Sequence, residues 1–162
     1  MHLTRFTDQS LRCLMYLARV PDETPTMAEL ATRTGLTEDI VLKVVRRLTE
    51  LGYVTTVRGR AGGVRLNRHP GEVNLGALVT ETEVNMNLVS CFRMDSARCP
   101  EAPGCRLATV LSKGLGAFLT VLASYTLQDV LGPAVVHARQ LPVRSLRSLA
   151  RPQWNVDDPV ER

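Results

Sequence analysis

Two consecutive helix signatures in the N-terminal half constrain the fold more than any other feature of the sequence. Thr26 is followed three residues later by Glu29, which is the spacing of a capping box, and Gly35 ends the helix. A second helix is predicted over residues 38–51, ended by Gly52. Two short helices joined by a tight glycine-containing turn are typical of a helix-turn-helix.

The second of these helices is amphipathic. Its predicted buried stripe comprises Ile40, Val44, Val45, Leu48 and Leu51. Polar groups occur early in the helix, where a recognition helix meets the edges of DNA bases. The candidate DNA-binding residues on its other faces are Glu38, Asp39, Lys43, Arg46 and Arg47.

After the second helix the pattern changes from helical to extended. Residues 53–57 and 64–66 are predicted as two strands, joined by the turn sequence RGRAGG that contains Arg58 and Arg60. The glycines let this turn approach another molecule closely. No acidic residue occurs at 52–69. A two-stranded wing directly after a helix-turn-helix therefore predicts a contact with DNA phosphates or a minor groove.

Charge is distributed unevenly along the chain. The formal net charge is +4, and residues 1–69 carry eleven Lys and Arg against seven Asp and Glu, whereas residues 70–131 carry four against six. The basic excess thus belongs to the half that contains the predicted helix-turn-helix and wing. This asymmetry favours a polyanionic partner for that half.

The chain begins with another amphipathic helix, predicted over residues 8–20 with Thr7 as its cap. Asp8 lies in its first turn, where the helix dipole favours a carboxylate. Cys13 is interpreted as a small core residue. The apolar face comprises Leu11, Leu14, Met15 and Ala18.

Three of the four cysteines fall in one segment with the spacing C-x7-C-x5-C: Cys91, Cys99 and Cys105. Pro100, Pro103 and Gly104 keep this segment out of regular structure. Such a loop can fold its thiolates around an iron-sulfur cluster, with a fourth ligand from elsewhere. The spacing is equally compatible with three ordinary thiols.

Helices are predicted on both sides of this loop. Asn74 caps one over residues 75–83, and a long helical stretch covers residues 106–131, with a second possible cap at Thr126 and Asp129 that would break it near Tyr125. The apolar stripe of the long stretch comprises Leu107, Leu111, Leu115, Phe118, Leu122 and Tyr125. It is too long for a small domain to cover, so a partner subunit is predicted to cover it.

Composition favours a mainly helical fold with a small β wing. Of 162 residues, 44% are hydrophobic but only 4% are aromatic, which suits a Leu, Val and Ala core between helices. No apolar run approaches the roughly 20 residues of a membrane span, so we expect a cytoplasmic protein without membrane contact. Neither a nucleotide loop nor a catalytic acid-base constellation is recognisable, which argues against an enzyme.

Three segments together resemble the Rrf-type family of winged-helix iron-sulfur transcriptional regulators, and within it the nitric-oxide-sensing repressors. They are LTRFTDQSLRCLMYLA at the start, LGYVTTVRGRAGGVRL at the wing and CRLATVLSKGLGAFLTVLASYTLQDVL after the last cysteine. The resemblance implies a homodimer that binds palindromic double-stranded operator DNA and releases it when nitric oxide nitrosylates the cluster. It also implies that the loop cysteines hold this cluster and that Asp8 supplies an oxygen ligand from the other subunit.

Two features bear on the cluster type. Seven residues separate the first two loop cysteines, where the family often has five, and Arg106 follows Cys105 where other members carry a histidine. The missing histidine favours a [4Fe-4S] cluster with Asp8 over a [2Fe-2S] cluster. Alternatives are a zinc or thiol-switch winged-helix regulator, and an iron-sulfur regulator that responds mainly to iron or oxygen.

The predicted organisation therefore has four parts. They are a winged helix-turn-helix DNA-binding domain (1–83), a cysteine-rich cluster-binding loop (84–105), a dimerisation helix (106–131) and a disordered tail (132–162).

Overall fold

The computed structural model describes residues 2–59, 62–89, 92 and 105–132. These residues form a mostly helical fold with a two-stranded antiparallel wing, which confirms the predicted fold class. The α-helices are α1 (Arg5–Arg19), α2 (Met27–Thr34), α3 (Glu38–Glu50), α4 (Leu75–Thr82) and α5 (Arg106–Ala123); the strands are β1 (Val54–Val57) and β2 (Gly63–Leu66).

The caps of α2 and α3 form as predicted. The Thr26 side chain accepts from the Glu29 N–H, and the Glu29 carboxylate accepts from the Thr26 N–H at 2.8 Å. These hydrogen bonds, first that from the Thr26 backbone and then that from its side chain, lower the pKa of Glu29. Gly35 ends α2 with φ of 70°, in the left-handed region that glycine tolerates. Thr37 then caps α3 by accepting from the Ile40 N–H.

The start of α1 differs from the prediction. The helix begins at Arg5, and its cap is Thr4, whose hydroxyl accepts from the Thr7 N–H; the predicted cap Thr7 is fully buried inside the first turn. Thr4 is the cap because hydrogen bonds to Glu83, which lies outside the helix, fix its position. The Glu83 Oε1 accepts from the Thr4 N–H at 2.8 Å and from its hydroxyl at 3.1 Å.

The buried face of α3 includes three of the five predicted residues and one that the prediction omitted. Val41, Val44, Val45 and Leu48 are buried, whereas the predicted Ile40 and Leu51 are half-buried at the edges of the stripe. Val41, which the prediction omitted, completes the i, i+3, i+4, i+7 set. This face packs against α1, α2 and β1 in a core whose largest fully buried side chain is Tyr53.

The wing is fixed against the helix-turn-helix. Val54 pairs with Leu66 and Val57 with Gly63. The Val64 N–H donates to the Pro25 carbonyl at 2.9 Å, so β2 also bonds the segment before α2. A Cβ at Gly63 would overlap the carbonyl oxygens of Thr24 and Pro25, so this close approach requires glycine.

The predicted long helix 106–131 is interrupted. α5 ends at Ala123, and the break near Tyr125 is confirmed, since the N–H and hydroxyl of Thr126 both donate to the Asp129 carboxylate before a short 3-10 helix, Gln128–Val130. The chain turns because it joins the core beside α4. The Leu127 N–H donates to the Val73 carbonyl at 2.8 Å, and the Leu127 side chain is fully buried.

α5 packs on α4 but buries none of its own residues. Its 18 residues have a mean hydropathy of 1.3, so by length and composition alone it could cross a membrane. Arg106 and Lys113 lie within these 18 residues, so the helix is not an uninterrupted apolar run. Length and apolar composition fit a helix covered by another subunit equally well.

Candidate DNA-binding face and cluster site

The exposed face of α3 carries the residues predicted to contact DNA. Glu38, Asp39, Lys43, Arg46 and Arg47 are all exposed. Arg46 and Arg47 lie 3.4 Å and 3.3 Å from the Glu50 carboxylate. Exposed ion pairs of this kind contribute about 0–1 kcal/mol, so either arginine can exchange Glu50 for a phosphate at little cost.

The wing tip extends the basic surface beyond α3. Arg58 is exposed at the end of β1, and it precedes Gly59, whose φ of 109° is accessible to glycine. The Gly62 N–H closes the turn by donating to the Gly59 carbonyl at 2.9 Å. Arg60, the second arginine of the predicted contact, lies outside the described residues.

Arg68, which follows the wing, has a structural position that the sequence did not reveal. Its guanidinium donates to the carbonyls of Gly52 at 3.0 Å and Leu51 at 3.1 Å, and it lies 4.9 Å from the centroid of the Tyr53 ring. A cation at the carboxyl end of α3 complements the helix dipole, and its position over the ring adds a cation-π contact. Arg68 therefore holds the wing base onto α3.

Tyr53 joins the wing base to α4. The ring is 2% exposed, and its hydroxyl donates to the Glu81 carboxylate at 2.6 Å. Burial, followed by the hydrogen bond and the negative charge of Glu81, raises the pKa of Tyr53 above its ordinary range. Sequence reasoning missed this pair because the two residues are 28 positions apart and neither belongs to a recognisable motif.

The proposed cluster ligands fall in two groups. Asp8 and Cys105 are described, whereas Cys91 and Cys99 lie outside the described residues. Asp8 is about half-exposed in the first turn of α1, and its Oδ2 lies 2.9 Å from the Arg12 guanidinium. Cys105 is half-buried at the N-cap of α5 and makes no side-chain capping bond. Within residues 2–59, 62–89, 92 and 105–132, no three His, Cys, Asp or Glu side chains form a metal-binding group.

Cys13 occupies the core, as predicted. It is 0% exposed, and burial raises the pKa of its thiol to about 11, with an opposing hydrogen bond to Thr34. A thiol with that pKa is protonated at neutral pH, which makes it a poor nucleophile and a poor metal ligand.

A cavity of about 530 Å³ lies where the chain enters the cysteine segment. Its walls come from the N-terminus, the segment after α4 and the middle of α5. The lining residues are His2, Leu3, Glu83, Asn85, Met86, Asn87, Leu88, Leu115 and Phe118.

Comparison with known proteins identifies the family. Residues 3–133 match the family described as "Rrf2: Iron-dependent Transcriptional regulator". The chain is 44% identical over 132 residues to the HTH-type transcriptional regulator NsrR of Halalkalibacterium halodurans, covering 81% of this chain and 90% of that protein. It is 42% identical over 131 residues to the NsrR of Bacillus subtilis, covering 80% and 90%.

Solved structures share the fold at lower identity. T. potens IscR superposes with a TM-score of 0.64 at 22% identity, covering 84% of this chain and 94% of that one. CymR, the global cysteine regulator of B. subtilis, gives 0.66 at 20% identity, covering 83% and 99%. The predicted resemblance to NsrR-like regulators is confirmed. This chain belongs to the Rrf2 family of winged-helix transcriptional regulators, which are DNA-binding proteins and not enzymes.

Proposed function

We propose that this protein is an iron-sulfur-cluster-dependent transcriptional repressor that senses nitric oxide and releases operator DNA in response. The observation that carries the proposal is the 40–44% identity, over 80–81% of the chain, to regulators named NsrR. The three loop cysteines and the acidic residue near the start of α1 supply a ligand set that fits this function.

DNA contact is assigned to α3 and the wing. Early in α3, Glu38, Asp39 and Lys43 would meet base edges. Phosphates would be contacted by Arg46, Arg47, Arg58 and Arg60. The exposure of the described residues in this set supports the assignment, because none has to leave the core to reach DNA.

A homodimer is proposed because α5 has an uncovered apolar stripe. Apart from Leu107 it differs from the predicted stripe, of which Leu111, Leu115, Phe118 and Leu122 are half-buried. Leu107 is 64% exposed, Val110 55% and Val121 58%. With Gly114 and Ala117 they recur every three or four residues, which is the spacing of a helix-helix contact. The small residues in the middle allow a partner helix to approach closely. Two α3 helices would then enter successive major grooves roughly 34–36 Å apart.

The ligand set proposed for a [4Fe-4S] cluster is Cys91, Cys99 and Cys105 of one subunit with Asp8 of the other. Asp8 fits because its carboxylate reaches solvent and Arg12 engages one of its two oxygens. Cys105 fits because it lies at the N-terminus of α5, where the helix dipole favours negative charge. When bound, the cluster supplies iron atoms that react with nitric oxide. An oxygen ligand holds iron less firmly than a thiolate, so Asp8 would detach first.

Loss of the iron contact of Asp8 can change the DNA-binding face because α1, which carries Asp8, contacts both the cysteine segment's entry and α3. Thr4 at the start of α1 is tied to Glu83, which directly follows α4 and precedes the cysteine segment. α1 packs on α3 within one core. A change in the position of α1 would therefore alter the orientation of α3 and the spacing of the two recognition helices.

The proposal is tested by anaerobic purification of the full chain, with iron and sulfide counted per chain and operator binding followed during a nitric oxide titration. We expect the iron and sulfide content of one [4Fe-4S] cluster, visible absorption, and loss of binding to an operator selected from randomised DNA. Half that content would indicate a [2Fe-2S] cluster. A colourless protein that binds zinc, or one that responds only to thiol oxidants, would support the zinc or thiol-switch alternative.

Cysteine variants assign the ligands in the same assay. Cys91→Ala, Cys99→Ala and Cys105→Ala should each lose most of the cluster iron and relieve repression. Cys13→Ala is the matched control, because it also removes a thiol but from the core. Loss of iron in Cys13→Ala beside normal iron in Cys99→Ala would reverse the assignment.

A further inference from the structure

Leu42 is the one apolar residue on the exposed surface of α3. Its side chain is 57% exposed, whereas the other exposed residues of the helix are charged or, at Thr49, hydroxylated. It lies one turn after Asp39 and one turn before Arg46, on the surface that carries the candidate DNA-binding residues. Arg46 is directed away from it, toward Glu50 at 3.4 Å, so the leucine methyl groups remain open to a partner.

Folding provides little reason for a leucine at this position. A buried leucine stabilises a fold by the apolar area it removes from water, but Leu42 leaves more than half of its side chain in water. Alanine is at least as good a helix former as leucine. The four residues that attach α3 to the core, Val41, Val44, Val45 and Leu48, are already buried without it.

The major groove offers a specific apolar partner. Thymine alone presents a methyl group there, at C5, while the other base edges present hydrogen-bond donors and acceptors. Leucine can form no hydrogen bond, so placing it against those polar edges would remove their water without replacement. Placing it against the methyl group buries apolar area on both molecules.

We propose that Leu42 is a specificity-determining residue that contacts the C5-methyl group of a thymine in each operator half-site. It is the fifth residue of α3, within the amino-terminal half that meets base edges in a helix-turn-helix. The inference rests on the DNA contact proposed for α3. It adds an apolar determinant to a face on which sequence reasoning recognised only polar ones.

The test removes the thymine methyl groups individually. The full chain, purified anaerobically, first selects a palindromic duplex from a randomised library. Each thymine of the half-site, with its symmetry mate, is then replaced by deoxyuridine, which lacks only the methyl group. Affinities are measured by fluorescence anisotropy for wild type, Leu42→Ala and a control, Val130→Ala, which truncates an exposed valine outside α3.

At one thymine position, wild type should lose about 4-fold in affinity per methyl group, the factor that corresponds to burying one such group. Leu42→Ala should bind the thymine duplex more weakly than wild type and show no difference between thymine and deoxyuridine at that position. Val130→Ala should behave like wild type. Leu42→Gln should shift the preference there from thymine toward adenine, which glutamine contacts by two hydrogen bonds.

Thermal unfolding checks that the variants fold, and an exposed substitution should leave the midpoint unchanged. Wild-type affinity of Leu42→Ala, or retention of every deoxyuridine effect by that variant, would overturn the inference while leaving the DNA contact of α3 in place. Failure of the wild-type protein to select any duplex would instead overturn the proposed function, and the inference with it.

Discussion

At the scale of single residues, Asp8 has two roles: it is the oxygen ligand proposed for the cluster, and it forms an ion pair on the surface of α1. Asp8 lies 2.9 Å from Arg12, and both side chains are about half-exposed. Such an i, i+4 pair on a helix surface contributes about 0.3–0.5 kcal/mol. The two roles of Asp8 can therefore be separated, because loss of the pair hardly affects stability while loss of an iron ligand would affect the response.

Asp8→Ala should still assemble a cluster on the three cysteines but bind operator much more weakly than wild type. Its unfolding free energy should fall by at most about 1 kcal/mol, from the lost ion pair and helix-dipole contact. Arg12→Ala is the matched control, since it breaks the same pair and keeps the carboxylate. Visible circular dichroism and operator affinity, both measured anaerobically, should change in Asp8→Ala and not in Arg12→Ala; wild-type values for Asp8→Ala would remove it from the site.

Two arginines near the wing should behave differently on substitution. Arg58→Ala should weaken binding to all DNA sequences and reduce the slope of log affinity against log salt by about one unit, because one phosphate contact is lost. Arg68→Ala should lower stability without changing that slope, because Arg68 is bonded to the carbonyls of Leu51 and Gly52. Binding at several salt concentrations checks both, and an unchanged slope for Arg58→Ala would contradict the wing contact.

At the scale of elements, α4 connects the wing to the start of α1. Glu81 bonds the Tyr53 hydroxyl at the wing base, and Glu83, just past the helix, bonds Thr4. The carboxyl end of α4 therefore contacts both the DNA-binding side and the helix that carries Asp8. Pairs this far apart in sequence are visible only in the folded chain.

Tyr53→Phe should lower the unfolding free energy at pH 7 by about 1–2 kcal/mol, since it deletes a hydrogen bond to a carboxylate. The pKa of Tyr53 is raised in the folded state, so the stabilisation by the neutral phenol is complete below the ordinary value of 10 and declines as pH rises above it. The difference in unfolding free energy between wild type and Tyr53→Phe should therefore become smaller from pH 10 upward. Denaturant unfolding at pH 7 to 11 measures this difference. A difference that does not change with pH would contradict the raised pKa of Tyr53.

At the scale of the whole molecule, the sequence predicts what is encoded locally. The Thr26–Glu29 capping box, the left-handed Gly35 and the change to extended periodicity after Gly52 define the helix-turn-helix and wing within a few residues. The cap of α1 was misplaced, and the break after α5 was predicted only as one of two possibilities, because distant partners decide both. The Glu83 carboxylate accepts a hydrogen bond from Thr4, 79 residues away, and the Val73 carbonyl accepts one from the Leu127 N–H.

Local sequence patterns also predict only part of the candidate DNA-binding face. Arg46 and Arg47 are exposed on α3, as helical periodicity predicted, because the buried stripe determines which side faces outward. Arg68 is likewise a basic residue beside the wing, yet its guanidinium donates to the carbonyls of Leu51 and Gly52, just after α3. Residue type alone does not distinguish an arginine available to DNA from one used in the fold.

The uncovered face of α5 leads to the last prediction. If this face joins two subunits, Val110→Glu should produce monomers, because it places a charge within an apolar contact where water cannot reach it. The matched control is Thr109→Glu, an adjacent exposed position on α5 that lies off the stripe and should leave the dimer intact. Sedimentation velocity without detergent measures both. Operator affinity should fall with the dimer, since one recognition helix then binds without the other. A Val110→Glu protein that remains dimeric, or a wild-type chain that stays in solution only with detergent or lipid, would contradict the assignment of α5 to a subunit interface.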